Sequence, residues 1–240
     1  MSNAENGFAV NHLKDAFIEI RFDAKVPKDA IFGLIYNELK ESYPEHNKLQ
    51  NSNFPEQMLE MDPVLKFQPL YCMYNDNYQI LIGRNSLIVK CAMPYSGWIK
   101  FKDEIKFILD KIFEIEIINR INRFGLRYVN FFKDKNVFEE STLTIGLNGT
   151  DILKNKENYL KTVMPNNKFK CILQFSSDST FQRKFKGSSL DLDTICEDKK
   201  FLDIDSIMET IDEAHDFLKG NFKKSLTEEY LKEIGCGGIL

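Results

Sequence analysis

Three arginines pose the first chemical question. Arg21 lies between Ile20 and Phe22 in FIEIRFD, and Arg127 between Leu126 and Tyr128 in RFGLRYVNFF. In an alternating strand each points away from the apolar face, and Arg123 shares the side of Arg127. Guanidiniums gathered on one sheet face grip a phosphate or carboxylate through paired N–H donors. Glu19 and Asp23, each two residues from Arg21, offer a second outcome: arginines paired with carboxylates that brace the sheet. Arg21, Arg123 and Arg127 are the candidate ligand-binding residues, and an anion is the ligand they would take.

Four aspartates form the next candidate. Asp191 and Asp193 alternate on one strand face, and Asp203 and Asp205 follow about ten residues later. Converging carboxylates could hold Mg²⁺ for phosphoryl chemistry, which makes a metal-dependent nuclease or phosphodiesterase an alternative. The plainer reading has Asp191 and Asp193 on a solvated face and Asp205 opening a helix, with no metal. Of three histidines, His12 falls in a frayed N-terminus, His46 in a proline-flanked loop and His215 on the buried stripe of a helix. They make no H-x-x-x-H pair, and the chain has no G-x-S-x-G turn, so catalytic residues are not assigned and no cofactor is expected. In Tyr95-Ser96-Gly97-Trp98, Ser96 is placed to cap a helix and Trp98 to anchor it. Gly83 is a lone glycine in a hairpin and makes no phosphate loop.

The elements that carry these residues follow from periodicity. Residues 17–23 alternate as a half-buried strand, and Pro27 opens a helix to about Ser42 with Ile31, Leu34, Ile35 and Leu39 as its stripe. Residues 43–63, with Pro44, Pro55 and Pro63, read as a long irregular loop. Strands follow over 66–75, 78–83 and 86–93, the last two a hairpin with Arg84-Asn85 at a tight turn where Asn tolerates a positive φ. Trp98, Phe101, Ile105, Ile108 and Ile112 mark one helical face. The second half repeats the order: a strand over 123–132, an irregular insertion about 135–166, strand candidates KCILQFSSD, TFQRKFKG and SLDLDTICED, then a helix striped by Ile207, Ile211, Leu218 and Phe222. Ser225 with Glu228 reads as a capping box for a last short helix ended by Gly235. The expectation is an α+β fold of two pseudo-repeated β-α-β-β-β-α units, 17–116 and 117–235, each an antiparallel sheet covered by helices on one face. Residues 1–16 and 236–240 are expected to be flexible. Paired units of this kind join as in TATA-binding-protein-like folds.

Composition bounds the class. The chain has 240 residues, 43% of them hydrophobic and 28% charged, enough for a core without disulfide or metal staples. A net charge of −4 argues against a dedicated nucleic-acid field. No apolar run reaches a membrane span, and no export signal is evident, so a cytoplasmic, membrane-free protein is expected. Cys72, Cys91, Cys171, Cys196 and Cys236 are far apart and form no C-x-x-C pair, which suits buried thiols in a reducing compartment. The 20 Phe and 9 Tyr are many for one modest core and point to a protein partner or homodimer.

Four segments together resemble a sporadically distributed group of bacterial and archaeal proteins of about this length with no assigned biochemical activity. They are EIRFD (19–23), LIGRNSLIVKCAMPYSGWIKF (81–101), NRFGLRYVN (122–130) and FLDID with FKKSLTEEYLKEIG (201–235). The group has no recognised catalytic motif, so the resemblance transfers no catalytic residues. Its patchy distribution implies antiviral defence or other mobile-island systems. The resulting expectation is a non-catalytic binding or assembly module. The alternatives are the aspartate-based nuclease and a nucleotide-sensing accessory protein that uses Arg21 and Arg127.

Overall fold

A computed structural model describes residues 12–153, 157–197, 201 and 203–235. The fold is mixed α+β, a multi-stranded antiparallel sheet covered by helices. The elements in chain order are β1 (Leu13–Ala24), α1 (Ile31–Leu39), β2 (Glu45–Lys48), α2 (Glu56–Met61), β3 (Tyr71–Tyr74), β4 (Tyr78–Ile82), β5 (Ser86–Cys91) and α3 (Trp98–Glu114). They continue with β6 (Ile118–Lys133), β7 (Gly146–Leu147), β8 (Thr150–Asp151), β9 (Tyr159–Pro165), β10 (Lys170–Phe181), β11 (Phe185–Cys196), α4 (Ile204–Ser225) and α5 (Glu228–Glu233). Short 3₁₀ turns at Lys28–Ala30 and Gln50–Asn53 precede α1 and α2. Among these residues no helix is long and apolar enough to cross a membrane.

The chain divides into two compact units. The larger comprises Ala16–Leu126 and Ile195–Ala214, the smaller Met1–Asp15, Arg127–Thr194 and His215–Leu240. Strands β1, β6 and β11 and helix α4 each contribute residues to both.

In the larger unit the strand order is β2-β3-β4-β5-β1-β6. Strict alternation makes β1: Ile18, Ile20 and Phe22 are buried while Glu19 and Arg21 stay partly exposed. Antiparallel pairing with β5 sets Ile20 against Leu87 and Arg21 against Ser86. Helix α1 buries Ile31, Ile35 and Leu39, but Leu34 is exposed because the apolar stripe is narrower than the spacing suggests. Helix α3 buries Phe101, Ile105, Ile108, Leu109 and Ile112, each contributing about 1.5–3 kcal/mol of apolar burial. The expected irregular loop over 43–63 is instead built. Tyr43 is fully buried and donates to Glu104, β2 pairs with β3, and α2 follows with Leu59 inward. In the β4–β5 turn the Gly83 N–H donates to the Ser86 carbonyl at 2.9 Å, and the φ of Asn85 is not positive. Its side chain donates to the Phe22 carbonyl at 3.3 Å and ties the turn to β1.

In the smaller unit the order is β6-β11-β10-β9, and β7 pairs with β8 separately. The three strands expected over 170–196 are two long ones. TFQRKFKG holds their turn: the Lys184 N–H donates to the Phe181 carbonyl at 3.1 Å, with Gln182 and Arg183 both at positive φ. That is the hairpin turn whose twist matches the flanking strands. Between β6 and β9 no helix occurs among the described residues, where the first half of the chain has α1. Ser225 does not cap α5. It ends α4 and donates to the Asn221 carbonyl at 2.7 Å, while the Thr227 hydroxyl accepts from the Tyr230 N–H.

Candidate functional site

The larger unit holds two of the three arginines at one carboxylate. Arg21 donates to Glu19 from Nε at 3.0 Å and Nη2 at 3.1 Å, and Arg123 donates from Nη1 to the same Glu19. The Arg21 guanidinium also lies 4.2 Å from the centre of the Phe67 ring, a cation–π contact. Sequence reasoning missed Arg120 and Asn122, which donate to the two oxygens of Asp23 at 2.7 and 2.9 Å. Nothing in one strand's alternation reveals this pairing, because it depends on the register between β1 and β6.

Arg127 belongs to the smaller unit and has its own carboxylate. It grips Asp191 with Nε at 2.9 Å and Nη2 at 2.5 Å, and Gln174 donates to the same carboxylate at 3.1 Å. The bond to Asp191 holds the guanidinium above its ordinary pKa. The structure therefore brings Arg21 and Arg123 together at Glu19 and gives Arg127 to Asp191. Asp203 and Asp205 fall in the larger unit, apart from the unit of Asp191 and Asp193. Asp203 Oδ1 accepts from the Ser206 N–H at 2.7 Å and so caps α4. Among the described residues, no three or more His, Cys, Asp or Glu side chains gather to hold a metal ion.

The remaining candidates have structural surroundings. His12, expected to fray, lies 3.3 Å from the Phe131 carbonyl through Nδ1 and 4.8 Å from the Phe132 ring. Burial lowers its pKa. His46 sits in β2 against Phe32 and Tyr36, and His215 is buried edge-on to Tyr128. Ser96 does not cap α3, whose N-cap is Gly97. Its hydroxyl meets that of Tyr78 at 3.2 Å. Trp98 donates from Nε1 to Asp212 at 2.7 Å. Cys72, Cys91, Cys171 and Cys196 are buried, and burial pushes the Cys171 thiol up to about 11. Cys236 and the tail 236–240, with most of the flexible segment expected before residue 17, lie outside the described residues.

The edge strands supply what the sequence reading missed. Strand β2, at the end of its order, is four residues of polar EHNK, a short charged edge that resists further pairing. Strand β9, at the end of the other order, is seven residues, YLKTVMP. Its Tyr159 is 65% exposed, Val163 48% and Met164 47%. The signal was present in Tyr159, Thr162 and Val163, obscured by Lys161 and by its place in the insertion about 135–166. Comparison of the chain with protein-family models and with curated proteins finds no match.

Proposed function

We propose that the protein is a non-catalytic assembly module whose β9 edge pairs with the same strand of a second copy. The observation that carries this reading is the character of that edge. It is long, carries one charged residue in seven and exposes Tyr159, Val163 and Met164, and among the described residues no strand pairs with its outer side. Such an edge offers a row of backbone donors and acceptors to another strand. An antiparallel pair related by a twofold axis at Thr162 sets each Lys161 opposite a Val163, so no like charges meet.

The pseudo-repeat and its TATA-binding-protein-like pairing belong to the same proposal. Their support is that Arg21 and Arg127 each sit between two buried residues of a first strand. The setting in a defence system rests on the resemblance alone.

The test is mass by light scattering during size exclusion, over a range of loading concentrations. The wild-type chain is expected to show a dimer that dissociates on dilution. Val163→Lys, which sets a second cation opposite Lys161, is expected to run as a monomer and to melt like the wild type at dilutions where the wild type is itself monomeric. A wild-type chain that is monomeric at every concentration, or a Val163→Lys variant that still dimerises, would sink the reading.

A further inference from the structure

The turn Gly83-Arg84-Asn85-Ser86 would ordinarily send its arginine into water. Here Arg84 is only 9% exposed. Its Nη2 is paired with Glu56, with Asp29 at 3.4 Å and Glu60 at 4.0 Å, while its Nε is buried without a hydrogen-bond partner among the described residues. A cavity of about 190 Å³ opens against this residue. Lys28 and Asp29 supply its other charged groups, and Phe32, Leu70 and Tyr71 its apolar wall. The Phe32 and Tyr71 rings stack at 4.0 Å, which fixes that wall. A buried guanidinium, a second cation and a rigid apolar surface around a small, partly open space are the parts of a small-acid site.

The groups now resting on the cations indicate the ligand. Glu56 and Glu60 both come from α2, and Glu60 accepts from Lys28 at 2.7 Å. Helix α2 is six residues long, follows Pro55 and buries only Leu59. Its carboxylates are exposed to competing water, so another carboxylate can replace them. With Glu56 and Glu60 displaced, Arg84, Lys28 and Asp29 sum to +1, which one carboxylate neutralises and a phosphate dianion exceeds.

We propose that this cavity binds a small organic monocarboxylate, its carboxylate on Arg84 and Lys28 in exchange with Glu56 and Glu60, its apolar body against Phe32, Leu70 and Tyr71. The test is calorimetric titration of the full chain with sodium benzoate at low ionic strength, with inorganic phosphate as the comparison and NMR shifts locating the site. Wild type is expected to bind benzoate saturably and more tightly than phosphate. Lys28→Gln should bind about tenfold more weakly, and Arg84→Gln should lose binding, as charge-assisted bonds go. Glu56→Gln, which removes a competitor, should bind about threefold more tightly. Should Arg84→Gln fail to fold, the surface substitutions Lys28→Gln and Glu56→Gln still decide. No saturable binding in wild type and Glu56→Gln overturns the site, as does undiminished binding in Lys28→Gln or shifts mapping elsewhere. Tighter binding of phosphate overturns the monocarboxylate assignment.

Discussion

Glu19 is one carboxylate serving two guanidiniums, and its loss should cost more than that of either partner. Removing it leaves Arg21 and Arg123 facing each other with no anion on a largely covered part of the strand. Glu19→Gln is expected to destabilise the fold by about 2–3 kcal/mol in urea unfolding. Arg21→Gln should cost no more than about 1 kcal/mol, because Arg21 is partly exposed and the Arg123 pair survives it. Equal effects, or a neutral Glu19→Gln, would show that the carboxylate does not brace the strand. The direction of these arginines was legible in the sequence, since alternation alone sets which face a side chain takes. Their partners were not. Glu19 and Asp23 are equally close to Arg21 along β1, and only the pairing of β1 with β6 gives Arg123 to the first and Arg120 to the second.

Elements pack at distances that a single added methyl can probe. A Cβ on Gly187 of β11 would lie 2.2 Å from the Phe132 carbonyl oxygen and 3.0 Å from the Phe131 ring, so β6 and β11 approach there only because the side chain is absent. Gly187→Ala is expected to destabilise the protein by about 3 kcal/mol. Gly33→Ala on α1, with nothing within 4 Å of its Cβ, should instead stabilise it by about 0.5–1 kcal/mol. Paired thermal melts read both signs, and a Gly187→Ala variant that melts like wild type would refute the close approach. At this scale α1, α3 and the β4–β5 hairpin were legible because their apolar spacing is regular. The hairpin turn inside TFQRKFKG was not, because Gln182 and Arg183 hold a positive φ without the glycine or asparagine that usually marks it. Nor was the order in 43–63, where prolines usually signal a loop but here frame an edge strand and a short helix. The surroundings of Arg84 were hidden for the same reason, since two of the carboxylates paired with it come from that stretch.

For the whole chain, the decisive fact is that the larger unit is not contiguous in sequence. Its body, Ala16–Leu126, is completed by Ile195–Ala214 from far downstream. That return segment does specific work. Phe201 exchanges both backbone hydrogen bonds with Ile121 at 3.0 Å, and its ring packs against Phe124. Asp212 accepts from Trp98 Nε1 at 2.7 Å and from Lys102 at 2.8 Å, while Ile207 and Ile211 are fully buried. A fragment of residues 16–126 would expose the surfaces these groups cover, and bringing them back within one chain requires closing a long loop. Such a fragment is therefore expected to show poor proton chemical-shift dispersion and no cooperative urea transition. Joining Ile195–Ala214 to its end through a flexible linker should restore both, because the linker replaces a distant chain closure with a short one. If fragment 16–126 instead unfolded cooperatively near the full-length midpoint, the downstream segment would be a covering added to a unit already complete. If neither fragment folded, the residues of the smaller unit that continue β1, β6 and α4 would be needed as well, and the stable unit would be the full chain.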